Sequence, residues 1–518
     1  VYLAEGSFLL MLSIVAKSVL SQWTVSPMLA GTVAGVLFAG LIVGTLFGGL
    51  ACDRFGRRAP IIFTYLGITV FTLMAILMPS LLLVLVAKFC LGFCLGFGLP
   101  AANAIVAESC PPVHRSNIYC MTMVLFSLGQ LYAATIVWLL NPSLSHDGMS
   151  WRMMLAGVAM LPFLLLFLAY FFLLESPHWL MLHGRVLEAQ NVLQVMLSYK
   201  VNDANQSATA FSLQSLQALC HSAAVGEGCL SRSCLGETIK EAADTDDEEQ
   251  GQGTCRSQVQ RNLNDVWDGF CRDCKRIRSL FTKSYRSTTL IMLYIAMAVN
   301  FAYYGLIYGL PGAFKEAHHT SESQGTWSPA AGLLVSAVSE IPGAFLAVAL
   351  AATIGRRTSM SFALLGCAVS MCFAVWALSS KRITDNVGLM SVFSVKVFLA
   401  SGLIIMYLYM LECYPTKFRA TGLAFIMVLG RVGAALVPTL YDGLDSDKKD
   451  DFFVMIAASA FIASVACCFL PYETRDTVLE EVAPPGTCTP AAEYTPLMTL
   501  RSVTPPRTPG TGRRGQRQ

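Results

Sequence analysis

Glu108-Ser-Cys-Pro111-Pro-Val-His-Arg115 and Glu412-Cys-Tyr-Pro415-Thr-Lys-Phe-Arg419 share one spacing, E-x-x-P-x-x-x-R. Upstream of the first stands Gly56-Arg57-Arg58, and upstream of the second Gly355-Arg356-Arg357, each followed by a similar length of mostly apolar chain. A pattern that recurs together with its surroundings implies two related halves. Because apolar residues fill the intervals, both halves are expected to lie in lipid. Duplicated helical halves around a central cavity are the plan of secondary transporters, which turns the question from a reaction to a solute.

Composition agrees. Of 518 residues, 55% are hydrophobic and 13% charged, against about 25% charged in soluble proteins, and the mean hydropathy is +0.57. The net charge of +3 is too small to point to nucleic acid. Of the 17 cysteines, Cys90, Cys94, Cys367, Cys372, Cys467 and Cys468 fall in apolar segments and read as small packing residues. Cys271 and Cys274 form a lone CxxC, whereas a structural zinc site needs four ligands. Neither a metal nor a cofactor is expected.

A span needs roughly 20 apolar residues. Twelve segments qualify: 1–20, 28–50, 60–79, 82–106, 117–140, 151–174, 287–310, 328–351, 359–378, 387–411, 420–441 and 452–471. The expected fold is an all-α membrane protein, twelve helices in two pseudo-symmetric six-helix bundles. The first bundle covers 1–174 and the second 287–471. Between them, 175–286 reads as a loop with a short helix at Val186–Leu197, an acidic run from Asp244 to Glu249 and a disordered remainder. The Pro-, Thr- and Arg-rich tail 472–518 is also expected to be disordered. The chain opens at Val1 in apolar sequence without a charged leader, so 1–20 reads as a truncated first span.

Basic residues set the orientation. Arg54, Arg57, Arg58, Arg115, Arg356, Arg357, Lys417 and Arg419 follow even-numbered spans, and the long loop adds a basic stretch from Arg272 to Arg286. The opposite connections hold few: Lys315, Lys381, Arg382, Lys448 and Lys449. The positive-inside bias therefore places the loop and both termini in the cytoplasm of a multi-pass protein, in the plasma membrane or a vesicle membrane. On that side the sequon at Asn205 escapes glycosylation. Tyr494-Thr-Pro-Leu497 fits a tyrosine-based sorting signal, making sorting machinery a candidate partner beside the lipid bilayer.

The turn Gly49-Leu-Ala-Cys-Asp53-Arg54-Phe-Gly56-Arg57-Arg58 resembles the signature of the major facilitator superfamily. Asp53 is read here as lying near the start of the next helix, where its charge suits the dipole. Trp151-Arg152, Glu175-Ser-Pro-His178-Trp-Leu, Asn300-Phe-Ala-Tyr303-Tyr304-Gly305, Ser339-Glu340-Ile-Pro342-Gly343, Gly430-Arg431-Val-Gly433-Ala434 and Pro471-Tyr-Glu473-Thr474 resemble its SVOP-like group. That group is named for synaptic-vesicle proteins and lies near the organic cation and anion transporters. The likeness runs from Val1 to about Glu481, omitting the long loop. Departures exist. Ala352 and Thr353 replace the acid and arginine of the second turn, which implies a differently wired second gate. Lys88 stands where the family usually has arginine in span 4, with Lys396 in the matching place of span 10. His178 replaces a frequent arginine, and Pro311–Trp327 is short for a glycosylated loop.

Charges inside spans cost about 2.5–3.5 kcal/mol on insertion scales, so they are functional by default. Glu5 is the leading candidate for proton coupling or cation contact, the alternative being a fixed pair with Lys88. Glu340, mid-helix beside Pro342-Gly343, is a cavity candidate. Lys88 and Lys396 divide between holding helices in place and contacting a substrate anion. Arg431 divides between structure and substrate contact, and Lys17 is expected to snorkel outward. Tyr303, Tyr304, Tyr308, Tyr407 and Tyr409 offer ring faces to an organic cation, or plain packing. Gln130 and Asn300 offer hydrogen bonds to a solute, or join helices.

A second set, Asp53, Arg57, Arg58, Glu108, Arg115, Glu175, Arg356, Arg357, Glu412, Arg419 and Glu473, lies at helix ends on the arginine-rich side. It is read as cytoplasmic gating. The expectation is a secondary active transporter of a small organic solute such as an organic ion, coupled to protons and working by alternating access, with symport, antiport and uniport left open. A facilitative uniporter or a non-transporting sensor are the alternatives. No GxxxxGK[ST] motif or catalytic constellation points to an ATP-driven pump or an enzyme.

Overall fold

The computed structural model describes residues 1–23, 27–109, 115–144, 150–198, 278, 280–282, 285–320, 328–380, 386–414, 419–444, 449–471 and 473–474. The CxxC, the sequon, the acidic run and the sorting pattern lie outside them. Every regular element among the described residues is a helix, and twelve spans are long and apolar enough to cross a membrane.

The first bundle is α1 (Tyr2–Trp23), α2 (Pro27–Phe55), α3 (Arg58–Leu77), α4 (Leu81–Phe97), α5 (Leu99–Ser109), α6 (Arg115–Leu140) and α7 (Ser150–Phe172). Two short helices follow, α8 (Pro177–Leu182) and α9 (Val186–Ser198), the latter the short helix expected in the loop. The second bundle is α10 (Arg286–Thr320), α11 (Pro329–Val338), α12 (Glu340–Thr353), α13 (Arg356–Ser379), α14 (Asn386–Glu412), α15 (Arg419–Asp442) and α16 (Lys449–Cys467).

Two spans, Leu81–Val106 and Pro329–Thr353, run continuously but each carries a one-residue irregularity with helical backbone. In span 4 it falls at Gly98, between α4 and α5, and in span 8 at Ser339, between α11 and α12. Ser339 keeps a right-handed helical backbone, so Glu340 lies near the middle of the Pro329–Thr353 span, at a local irregularity beside Pro342, which supplies no backbone donor. Helix α10 runs through Pro311 to Thr320, well past the expected end at 310, because proline removes one backbone bond without excluding a helix that neighbours hold. Asp53 lies in the last turn of α2, and α3 begins only at Arg58, so Asp53 is not the residue that meets the next helix's dipole.

Small residues let these helices approach. A Cβ on Gly40, Gly44 or Gly48 of α2 would come within 2.2 Å of the carbonyl oxygens of Phe89, Phe93 and Phe97 on α4. Gly92 and Gly96 return the fit, with Leu37 and Leu41 as their neighbours. Such contact between backbones is how lipid-embedded helices associate without a hydrophobic driving force.

The bundles touch each other at the end away from Gly56 and Gly355. Gly31 of α2 lies against the Pro438–Thr439 backbone of α15. The amide of Ala330 donates to the Pro142 carbonyl at 3.3 Å, and Lys17 Nζ sits 5.2 Å from the Tyr441 ring. Lys17 therefore rests on the partner bundle's aromatic ring rather than snorkelling free.

Candidate functional site

Between the bundles lies a narrow cavity of about 30 Å³. Its wall draws on five helices, four of them through a face legible in spacing: Tyr2 and Glu5 on α1, Met123, Phe126 and Ser127 on α6, Ala400, Leu403, Ile404 and Tyr407 on α14, and Met427 and Arg431 on α15, joined by the adjacent Tyr303 and Tyr304 on α10, with Glu340 from α12. Separations of three, four and seven residues put side chains on one helical face.

Glu340 is 1% exposed and has four donors. Lys396 Nζ reaches its Oε1 at 2.8 Å. Its Oε2 accepts from Tyr303 Oη at 2.7 Å, Gln130 Nε2 at 2.9 Å and Ser127 Oγ at 3.1 Å. Ser127 and Gln130 belong to the first bundle, the others to the second. Gln130 also donates to Tyr303 Oη at 2.9 Å, and Lys396 Nζ lies 5.1 Å from the Tyr303 ring. One buried carboxylate thus fastens both halves.

Glu5 is the second buried carboxylate to meet the opposite bundle. Its Oε1 is 2.9 Å from Arg431 Nη2, so the pairing with Lys88 considered from the sequence is not the one formed. Lys88 is 4% exposed, and its Nζ meets no hydrogen-bond partner among the described residues. Nor are the two lysines repeat-related: Lys88 precedes Glu108 by 20 residues and Lys396 precedes Glu412 by 16, a full helical turn apart.

Asn300 is buried but stays off the cavity wall. Its Nδ2 donates to the Ala296 carbonyl at 2.7 Å and a Cβ on Gly430 would lie 2.9 Å from that nitrogen, so it occupies the α10–α15 contact. Tyr308 donates to Asp442 at 2.5 Å near the closed end, and Tyr409 is buried away from the cavity. Gln130 and Ser127 are the residues sequence reasoning underweighted. Their place on one stripe with Met123 and Phe126 was the available signal.

The arginine ends repeat each other contact for contact. Glu175 Oε1 accepts the Arg57 amide at 2.7 Å and Oε2 the Arg58 amide at 3.1 Å. Glu473 does the same for Arg356 at 2.7 Å and Arg357 at 3.2 Å. Arg57 then pairs with Glu108 at 2.7 Å and Arg356 with Glu412 at 3.1 Å. Arg58 and Arg357 donate to the carbonyls of Tyr170 and Cys468. Gly56 and Gly355, at φ +88° and +96°, let the carboxylate approach: a Cβ would fall 2.4 Å from Glu175 Oε2 or 2.8 Å from Glu473 Cδ. These contacts all stay inside one bundle. Arg115 and Arg419 open α6 and α15; their side chains, with that of Asp53, lie outside the described residues. Just beyond α14, burial pushes the Tyr414 phenol up, and its oxygen meets Thr289 Oγ1 at 3.0 Å.

Glu175 thus caps α3 from a distant loop. Glu175→Ala leaves three amides, those of Arg57, Arg58 and Ser176, without their acceptor and is expected to cost about 1–3 kcal/mol, read as a lower melting temperature in detergent. Glu473→Ala should behave alike. An unchanged melting temperature for both would show that water replaces these caps.

Two six-helix bundles closing on a buried, charged cavity define a membrane transporter of the two-bundle kind. The chain belongs to the Major Facilitator Superfamily, whose family model matches residues 1–438. It is 24% identical over 505 residues to organic cation/carnitine transporter 7 of Arabidopsis thaliana, covering 94% of this chain and 93% of that one. To the synaptic vesicle 2-related protein of Xenopus laevis it is 22% identical over 499 residues, covering 93% and 78%. Its fold is similar to the inward open conformation of the xylose transporter XylE from E. coli, with TM-score 0.65, 16% identity and coverage of 93% and 96%.

Proposed function

We propose that the chain is a secondary active transporter that moves a small organic solute by alternating access, coupled to protons through Glu5. The observation that carries this reading is the cross-bundle pair of Glu5 and Arg431 in the cavity wall. A charge pair spanning the seam ties the arrangement of the bundles to whatever neutralises or replaces one partner.

The contacts at Gly31, Ala330 and Lys17 close one end of the cavity. With the arginine end in the cytoplasm, by the positive-inside bias, this is a state closed to the outside. Under rocking, the paired clasps at Arg57 and Arg356 stiffen each bundle, and their cytoplasmic position suits gating. Relatives named for organic cations and carnitine support an organic ion as solute. Glu340 and Lys396, with Tyr303 and Tyr304, complete the proposed site.

Uptake into proteoliposomes from a panel of organic cations, organic anions and sugars, with and without a proton gradient, tests this. Gradient-driven accumulation is expected in the native protein. Glu5→Gln should abolish the dependence on the gradient while leaving solute exchange between equal compartments. Accumulation that ignores the gradient in both proteins would reduce the chain to a facilitator and return Glu5 to structure.

A further inference from the structure

A separate cavity of about 30 Å³ lies in the closed end of the seam. The first bundle lines it with Ser13, Lys17 and Leu144, the second with Pro311, Gly312 and Lys315. Four-residue spacing puts Ser13 and Lys17 on one face of α1, and Pro311 and Lys315 on one face of α10. Two lysines thus border the same small space from opposite halves. Ser13 is 1% exposed, and its Oγ meets no hydrogen-bond partner among the described residues. A helical serine ordinarily returns its hydroxyl to a carbonyl one turn back, as Ser7 does to Ala4 at 2.8 Å. Ser13 leaves its donor at the cavity wall.

Lys17 is short of a counter-charge as well. Its Nζ lies 5.2 Å from the Tyr441 ring, and it enters no ion pair among the described residues. The acids that act on it are engaged elsewhere: Asp442 accepts from Tyr308 Oη at 2.5 Å, and Glu316 pairs with Lys449 at 3.9 Å. The charges at this point are those of Lys17, Lys315 and Lys449 against Asp442 and Glu316, three bases to two acids. Gly312 keeps room for the ammonium, since a Cβ there would lie 2.9 Å from Lys17 Nζ.

A space of this size takes one or two waters, so it admits a monatomic ion and excludes a solute of several heavy atoms. Two lysines exclude a cation. Water would satisfy Ser13 but leave like charges facing each other, whereas an anion answers both. We propose that this cavity binds one chloride ion between Lys17 and Lys315, with Ser13 Oγ as a third donor, and that the ion clips the two bundles together at this end. Each half supplies one lysine, so the site is complete only while the end is closed. Binding does not depend on transport. Release on opening does, and that step rests on the alternating-access reading above: parting the lysines frees the ion, so chloride on that side favours the closed arrangement by its differential affinity.

The test is the melting temperature of the purified full chain in nanodiscs, with sodium chloride replaced stepwise by sodium gluconate at constant ionic strength. Chloride should raise it, and once the site fills the rise should follow the logarithm of the chloride concentration. Bromide should act alike. Lys17→Gln and Lys315→Gln should each abolish the increment. Ser13→Ala should weaken the apparent chloride affinity about tenfold, the loss of one hydrogen bond to a charged group. Arg185→Gln, which removes a positive charge from an exposed pair on α9, should keep the full increment. If neither glutamine variant at the site folds, the affinity shift in Ser13→Ala decides.

No difference between chloride and gluconate in the folded native chain would overturn the proposal. So would an increment that survives unchanged in the lysine variants or in Ser13→Ala, or one that only grows linearly with salt. Solute uptake by a chain indifferent to chloride would sink this inference and leave the transport reading standing. A chloride increment lost in the site variants, in a chain that moves no solute, would keep the site and sink the transport reading.

Discussion

Lys396→Met is expected to destabilise the protein by about 3–5 kcal/mol, the cost of stripping one partner from a buried ion pair. Lys396 and Glu340 are each 1% exposed, with Nζ and Oε1 2.8 Å apart. Removing the ammonium leaves a carboxylate in the membrane interior with three neutral donors and no counter-charge. Adding Glu340→Gln should recover most of the loss, because an amide is held by the same neighbours without a charge to desolvate. The measurement is the melting temperature of the two single variants and the double variant, with the native chain closing the cycle. If the effects of the single variants simply add, the pair is not coupled and the buried cluster does not hold the halves as described. Since Ser127 and Gln130 come from the opposite bundle, uptake should be lost in the single variant even at temperatures where it remains folded.

Gly44→Ala should be equally severe for another reason. Its new Cβ would lie 2.0 Å from the Phe93 carbonyl oxygen, and a backbone atom cannot swing aside as a side chain does. α2 and α4 would have to part by more than an ångström, opening the contacts at Gly40, Gly48, Gly92 and Gly96 as well. Overpacking of this kind costs about 1–3 kcal/mol in soluble cores, and the shared strip places Gly44 at or above the upper end. Gly49→Ala supplies the control on the same helix, because nothing lies within 4 Å of its Cβ; there the helix gains about 0.5–1 kcal/mol of propensity. Monodisperse yield and melting temperature distinguish the two. A Gly44→Ala protein as stable as Gly49→Ala would mean that the helices do not approach as closely as drawn.

The spans and their duplication were legible because hydropathy and a repeated motif both survive without any knowledge of neighbours. The acids, bases and tyrosines of the cavity could be picked out too, since ionisable groups are rare in lipid-facing sequence. Partnership was not legible. Whether Glu5 meets Lys88 or Arg431 depends on how α1 is turned about its axis and on which helix of the other bundle passes by, and neither is written in local sequence. The same holds for Glu175 and Glu473: their motif was visible, but their use as caps on α3 and α13 requires a chain crossing of more than a hundred residues. The irregularities at Gly98 and Ser339 had signals, Gly98-Leu-Pro100 and Ser339-Glu-Ile-Pro342, that a hydropathy window averages away.

The twin clasps have a mechanical consequence. In each half the chain leaving the sixth span is pinned by its carboxylate to the start of the third, and that start is bolted through arginine to the end of the fourth. Such a brace removes internal hinges from a half and leaves its neighbour joint as the compliant element. Work done at Arg431 or Glu340 is then not absorbed locally as bending. In the alternating-access reading proposed above it would arrive at the seam as torque on a stiff lever, and because both levers carry the same brace, neither half would yield first.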